Sequence, residues 1–263
     1  MYVSADQSPA IFTRARRYAL RIFSNFLWGV THAWLKLRYI NNASFARSAE
    51  YGKNHFLTGQ ISLISRQKLA EIFAKSPVIP FRREDYSPGY RWTYHADAQK
   101  VNESFVHHDL RAKWSEYLAP AIEELAPYVS SALGAPWRIV RTRAYAITAS
   151  AQSKFDTGAN VWHSDQYHNA VVKVLIYLTP VDPVWGTTEV RLRNGEEQVI
   201  TGPQGTFLLF NPTTLIHRGI PPSKGRRETI EITFAVSSTI DKRPHMAGLN
   251  SVYPWMPWGT PGD

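Results

Sequence analysis

Two histidines and one aspartate have the types and spacing needed to hold a single metal ion. His163 and Asp165 are two residues apart, and in extended backbone such residues point to the same face. His217 follows later, at the end of an apolar run. Because the chain has no cysteine, any metal must be bound by His, Asp or Glu. Two imidazoles and one carboxylate predict a three-ligand metal centre with open coordination positions.

Beyond His217, an alternating segment carries groups suited to bind a carboxylate. Arg227 and Thr229 share one strand face, whereas Ile230 lies on the other. A guanidinium binds a carboxylate through two parallel hydrogen bonds. Arg226 is the adjacent competitor, and we favour Arg227 because it leads the Arg-x-Thr alternation.

These motifs together resemble the Fe(II)/2-oxoglutarate-dependent dioxygenases, most of all the phytanoyl-CoA-dioxygenase-like branch. In chain order they are His163-x-Asp165, His217-Arg218-Gly219 and Arg227-x-Thr229. The resemblance covers about residues 138–237. It implies that His163, Asp165 and His217 bind iron. It further implies that Arg227, with Thr229, binds the distal carboxylate of 2-oxoglutarate, and that O₂ is the other co-substrate.

The same resemblance implies hydroxylation or desaturation, because halogenating relatives lack the carboxylate ligand that Asp165 supplies. Related nucleic-acid demethylases carry a second arginine six residues after the first, and Thr233 stands there in this chain. A nucleic-acid substrate is therefore disfavoured, which leaves a small molecule or a lipid- or sugar-linked metabolite. The alternative is a cupin-like jelly-roll protein that is non-catalytic or binds another metal. Arg227 separates the two hypotheses, because a protein that binds only metal needs no carboxylate clamp.

Other polar residues have weaker claims on the site. Lys173 interrupts an apolar strand and either adds a second cation for 2-oxoglutarate or points outward. Tyr145 and Arg143 are candidates to line the pocket. The odd spacing of His168 from Asp165 puts it on the opposite strand face. A further cluster, His107-His108-Asp109, has nothing downstream to complete it and is interpreted as a surface loop or helix start.

The elements that position these residues predict a mainly β protein with flanking helices. Hydrophobic residues make up 44% of the chain and charged residues 19%, which excludes wholesale disorder. Short strands after Pro136, separated by turn residues, are typical of a double-stranded β-helix, or jelly roll. We expect a helical N-terminal region over residues 1–135, a jelly-roll core over 136–240 and a Pro/Trp-rich tail over 241–263.

The positive charge of the chain is concentrated near its start. The net charge is +9, and residues 1–40 carry six basic residues against Asp6 alone. Apolar residues at spacings of three and four predict a long helix over residues 10–40. This helix is either scaffold or an anchor on an anionic membrane surface, and a nucleic-acid role is the weakest interpretation. We expect a cytoplasmic protein, peripheral on the inner face of a membrane if the helix is an anchor.

Overall fold

The computed structural model consists of two antiparallel β-sheets with helices packed on one side. The structure describes Phe23, Phe26, Leu27 and residues 29–39, 41–43, 48–75, 78–79, 105–108, 114–149, 160–165 and 170–242. The helices in these residues are α1 (29–39), α2 (Ala49–Asn54), α3 (Leu63–Lys75) and α4 (Trp114–Leu133). The first five strands are β1 (Phe56–Gln60), β2 (Val78–Ile79), β3 (Phe105–His108), β4 (Trp137–Thr148) and β5 (Val171–Tyr177). The others are β6 (Thr187–Arg191), β7 (Glu197–Val199), β8 (Thr206–Phe210), β9 (Ile216–Ile220) and β10 (Arg226–Val236).

The larger sheet has seven strands in the order β1-β8-β5-β10-β4-β3-β2, and every pair is antiparallel. Strand β10 is central and pairs with β4 on one side and β5 on the other. Strand β5 is buried along its whole length, because helices cover one face and the second sheet covers the other. Burial on both faces explains its nearly continuous apolar sequence.

The smaller sheet has three strands in the order β7-β6-β9 and packs against the inner face of the larger one. Val190 of β6 lies in one apolar cluster with Leu175 and Phe210 of the larger sheet. The hydroxyl of Tyr177 donates a 2.7 Å hydrogen bond to Oγ1 of Thr188, which also joins the sheets. The space between these sheets is where a jelly roll holds its functional groups.

Helices α3 and α4 cover the outer face of the larger sheet. Leu69 of α3 and Leu125 of α4 share a buried cluster with Ile232 and Phe234 of β10. The ring of Phe234 also meets Trp137 edge to face, with centroids 5.1 Å apart. This apolar layer holds β10, and thereby its inward residues, in a fixed place.

The predicted fold class, a jelly roll with flanking helices, is confirmed. The N-terminal half also contributes β1, β2 and β3 to the larger sheet, which the sequence did not indicate because these strands are short. His107 and His108 lie in β3 instead of the predicted loop or helix start, and Asp109 lies outside the described residues. The domain boundaries stay predictions, and the tail lies outside the described residues from position 243 onward. None of the described helices combines the length and apolar character needed to span a membrane.

Candidate metal centre

His163, Asp165 and His217 converge on one point between the sheets. One ligand atom from each residue lies within 4.8 Å of the others. Nε2 of His163 is 3.6 Å from Oδ1 of Asp165, and the two imidazole centroids are 4.4 Å apart. Ligands at ~2.0–2.2 Å from a shared metal lie ~3–4 Å from each other, so small side-chain adjustments bring all three onto one ion. In the described part of the chain this is the one such cluster of three groups.

Backbone hydrogen bonds bring the three ligands together. The N–H of His163 donates to the carbonyl of His217 at 3.0 Å, and the reverse bond is 2.9 Å long. The N–H of Asp165 donates to the carbonyl of Pro212 at 2.7 Å. The segment that carries His163 and Asp165 is thus joined to the edge of β9 and to the turn before it.

Both imidazoles present the same nitrogen to the centre. Nδ1 of His163 is 2.8 Å from the carbonyl of Val161, and Nδ1 of His217 is 2.9 Å from that of Leu215. A carbonyl only accepts, so each Nδ1 carries the proton and each Nε2 keeps a lone pair for a metal. Burial lowers the pKa of His217 to about 4 although Asp165 opposes this shift. His217 is therefore neutral, as a metal ligand must be, at neutral pH.

Lys173 points inward and binds Asp165. Its side chain is 8% exposed, and Nζ donates a hydrogen bond to Oδ2 of Asp165. Burial would raise the pKa of Asp165, but Lys173 and His217 hold it below its usual range. Lys173 pairs with Thr233 on β10, which is six residues beyond Arg227. The backbone of Lys173 is therefore roughly 20 Å from that of Arg227, measured along the strand. Of the two roles predicted for Lys173, the outward one is wrong, and its contact in this structure is with Asp165.

A second carboxylate lies behind Lys173. Oε1 of Glu231 is 3.9 Å from Nζ of Lys173. Arg143 binds Glu231 with two hydrogen bonds, from Nε at 3.1 Å and from the terminal nitrogen at 2.5 Å. Burial opposes ionisation of Glu231, but Arg143, Lys173 and Arg141 lower its pKa far below the usual range. A chain of alternating charges thus runs from Arg143 to the metal centre.

Arg227 lies inside the jelly roll and Arg226 on its surface. Arg227 is 5% exposed, and one terminal nitrogen donates to the carbonyls of Thr187 at 2.7 Å and Ile220 at 3.1 Å. Its Nε and the hydroxyl of Thr229 are buried with no hydrogen-bond partner among the described residues. Leaving buried donors unsatisfied costs about 1–3 kcal/mol each. The arrangement therefore favours a ligand that accepts hydrogen bonds at this place.

Two tyrosines flank Thr229. Tyr145 on β4 and Tyr177 on β5 are its neighbours in the sheet register. Burial raises the pKa of both phenols, so both keep their protons at neutral pH. Tyr145 thus lies on the inner face, as predicted for a pocket residue. Tyr177 was not predicted, although it lies four residues beyond Lys173 and hence on the same face of β5.

Trp162, next to His163, is held between two arginines. The guanidinium carbons of Arg191 and Arg218 lie 4.3 Å and 4.6 Å from its ring centroid. Nε of Arg218 is in turn 2.5 Å from a carboxylate oxygen of Glu189. Each cation–π contact at such a partly exposed site contributes about 0.5–1 kcal/mol. The stack fastens the segment that carries His163 and Asp165 to the smaller sheet, and sequence reasoning missed it. His168 lies outside the described residues.

Known proteins resemble this chain in fold and not in sequence. No family model and no curated protein matches it. Among solved structures, it matches EctD from S. alaskensis, crystallised with 2-oxoglutarate and 5-hydroxyectoine, at a TM-score of 0.54 and 14% identity over 80% of this chain and 85% of that chain. It also matches SnoN, a non-haem α-ketoglutarate-dependent epimerase from nogalamycin biosynthesis, at 0.52 and 8% identity over 85% and 90%. A third match is HygX from Streptomyces hygroscopicus with nickel and 2-oxoglutarate bound, at 0.50 and 13% identity over 75% and 91%. The chain shares the jelly-roll fold of these proteins.

Proposed function

We propose that this chain is an Fe(II)- and 2-oxoglutarate-dependent dioxygenase. The observation that carries the proposal is the pairing of a three-ligand centre with a buried arginine, Arg227, whose Nε has no hydrogen-bond partner among the described residues. Arg227 contacts Ile220, which is three residues beyond His217 on β9, or about 10 Å of strand. A five-carbon dicarboxylate with a metal bond at one end and a hydrogen bond at the other spans a distance of the same order, roughly 10 Å.

The residues present fit both groups. Two imidazoles and one carboxylate are the ligand set that non-haem Fe(II) oxygenases use. The Nε of Arg227 and the hydroxyl of Thr229, which have no hydrogen-bond partner in the described part of the chain, are the donors that a distal carboxylate requires. When bound, iron supplies the chemistry that couples oxidative decarboxylation of 2-oxoglutarate to oxidation of a substrate C–H bond.

The protein's own side chains bind and orient the metal and the co-substrate. His163 and His217 offer Nε2 because their Nδ1 protons are bound to carbonyls. Arg227 is fixed by two backbone carbonyls and neutralises the charge of the incoming carboxylate. Tyr145 and Tyr177 enclose Thr229 from both sides and help to keep water out of this end of the site.

The fold and the residues taken together support a proposal for the substrate class. EctD and SnoN are crystallised with small molecules or named for small-molecule biosynthesis, and we propose a small-molecule or lipid- or sugar-linked substrate here. Asp165 fills the position of the third ligand, which favours hydroxylation or desaturation. The phytanoyl-CoA-dioxygenase-like branch stays a prediction from the His217-Arg218-Gly219 motif.

Succinate release tests the proposal. Purified protein with Fe(II), ascorbate and 2-oxoglutarate, screened against a panel of small metabolites, should form succinate, and Asp165→Ala should not. Arg227→Met should also lose succinate release. Arg226→Met is its matched control and should keep it, because Arg227 is buried and Arg226 is exposed. Wild-type protein that binds Fe(II) but releases no succinate and does not bind 2-oxoglutarate would favour the cupin-like alternative.

An exposed apolar stripe on the N-terminal helix favours a second, additional function at a membrane. Its members are all more than half exposed and share one narrow face of helical backbone, with Val30, Trp34 and Leu37 in α1 and Phe23 and Phe26 just before it. The opposite face is docked, since Leu35 is buried and His32 hydrogen-bonds the carbonyl of Leu133. Basic residues flank the stripe in sequence. We propose that the occupant is an anionic lipid surface, on the cytoplasmic side.

Vesicle sedimentation tests this surface. Wild-type protein should sediment with phosphatidylglycerol vesicles at low salt and not with phosphatidylcholine vesicles. The double variant Phe26→Ser/Trp34→Ser should stay in the supernatant. The control Leu63→Ser/Ile64→Ser, which removes equally exposed apolar residues from α3, should still sediment. Wild-type protein left in the supernatant contradicts the proposal. A dimer that the stripe variant abolishes would instead assign the stripe to contacts between copies.

A further inference from the structure

We propose that Lys173 is a positioning residue that keeps Asp165 a one-oxygen metal ligand. The inference rests on the function proposed above. Lys173 donates from Nζ to Oδ2 of Asp165, whereas Oδ1 lies 3.6 Å from Nε2 of His163. The two oxygens of one carboxylate thus face different groups, the ammonium of Lys173 at Oδ2 and the imidazole of His163 at Oδ1.

The ammonium of Lys173 is held in place from several directions. Glu231 lies on its other side at 3.9 Å, and Arg143 fixes Glu231 with two hydrogen bonds. The ring of Phe210 is 5.9 Å from Nζ, within the range of a cation–π contact. With 7% of its surface exposed, Lys173 has no easy route to bulk water. A fixed ammonium can therefore hold Oδ2 permanently.

This restraint matters because carboxylates bind metals with one oxygen or with two. Two imidazoles and one carboxylate oxygen leave three positions on an octahedral ion, which suffice for a chelating 2-oxoglutarate and O₂. A carboxylate bound through both oxygens takes one of the three. By occupying Oδ2, Lys173 reserves that position for the co-substrate.

Binding measurements on Lys173→Met and Lys173→Arg test the inference, with Ni(II) as a redox-inert probe. Calorimetry should show that Lys173→Met binds Ni(II) at least as tightly as wild type, because a cation beside the metal is removed. The Ni(II)-loaded variant should bind 2-oxoglutarate more weakly by roughly tenfold or more, because Asp165 then competes for one co-substrate position; outer-shell groups of metal sites typically change affinity or activity by about 10–100-fold. Lys173→Arg, which keeps the charge and the donors, should recover most of this affinity.

The visible absorption of Co(II)-loaded protein separates positioning from direct contact. Before 2-oxoglutarate is added, Lys173→Met should differ from wild type in band intensity, because Asp165 has changed its mode of binding. Identical Co(II) spectra, or unchanged 2-oxoglutarate affinity, would overturn the proposal. If Lys173→Met does not fold, Lys173→Gln, whose shorter uncharged side chain should cause the same losses, replaces it. Wild-type protein that binds Ni(II) but not 2-oxoglutarate refutes the proposed function instead, and Lys173 is then judged by the Co(II) spectra alone.

Discussion

The two faces of strand β10 contrast in what they contribute. The helix-facing side is apolar and consists of Ile230, Ile232 and Phe234. The inner side is polar and consists of Arg227, Thr229, Glu231 and Thr233, all buried. Burying apolar side chains stabilises a protein, whereas burying unpaired polar groups costs stability. One face of β10 therefore stabilises the fold, and the other face carries the polar groups of the candidate site.

The largest expected effect is on the helix-facing side. Phe234→Ala removes a fully buried ring that meets Trp137 and should lower the free energy of unfolding by about 3–5 kcal/mol. Urea denaturation followed by circular dichroism measures this. Thr229→Ala on the inner face, buried in the same strand, is the matched control and should cost far less. Similar losses for both variants would erase the contrast between the faces.

Arg227→Met should have the next largest effect, and the quantity that it lowers is the affinity for 2-oxoglutarate instead of the stability. Loss of a buried, charge-assisted contact to a carboxylate costs about 2–5 kcal/mol of binding, so 2-oxoglutarate affinity should fall at least about 30-fold. Metal affinity should stay close to wild type, because Arg227 contacts none of the three ligands in the structure. Calorimetry with Ni(II)-loaded protein measures both. Should Arg226→Met show the loss and Arg227→Met not, the assignment of the clamp is wrong.

The pH dependence of the metal-free protein should reveal the buried imidazole. The pKa of His217 is lowered to about 4, whereas an unfolded histidine titrates near ~6.5. Between these values the unfolded state binds a proton that the folded state does not, so stability falls as pH drops from ~6.5 toward ~4. The contribution is on the order of 3 kcal/mol. Urea unfolding of chelator-treated wild type and His217→Gln at several pH values measures the free energy of unfolding as a function of pH. The slope of this dependence should differ between the two proteins from pH ~6.5 to ~4. Equal slopes would contradict a buried, neutral His217.

Thr229→Val should have the smallest effect, and it tests whether a hydroxyl on the inner face of β10 serves binding instead of stability. It removes a buried hydroxyl that has no hydrogen-bond partner within the described ranges, with little change of shape, so stability should stay the same or rise by about 1 kcal/mol. Binding of 2-oxoglutarate should weaken by about tenfold, the equivalent of one lost hydrogen bond to a charged group. Thermal unfolding measures the change in stability, and calorimetry on the same preparation measures the change in 2-oxoglutarate affinity. A stability loss above ~2 kcal/mol would mean that the hydroxyl has a structural role.

Local alternation explains why so much of the site could be predicted. His163 and Asp165 share a face because they are two apart, and the same rule separates buried Arg227 from exposed Arg226. The rule has no power for Lys173, because β5 is buried on both faces and either direction is equally apolar in sequence. Only its register beside Thr233 and the approach of Asp165 decide the direction.

Contacts between distant segments were beyond the reach of the sequence. The sandwich of Trp162 between Arg191 and Arg218 depends on the pairing of β6 with β9, which no local pattern encodes. The pairing of β1 with β8 likewise joins residues far apart in the chain, and β1 is too short to give a strong alternating signal. Such features follow from tertiary register and not from neighbouring residues.

We propose that His163, Asp165 and His217 bind one metal next to a carboxylate site at Arg227. Anomalous diffraction from crystals grown with Mn(II) and 2-oxoglutarate tests it most directly. We expect one ion within ~2.0–2.3 Å of Nε2 of both histidines and of one oxygen of Asp165. We also expect the distal carboxylate of 2-oxoglutarate on Arg227 and Thr229. An ion bound elsewhere, a fourth protein ligand, or a carboxylate on Arg226 would contradict it.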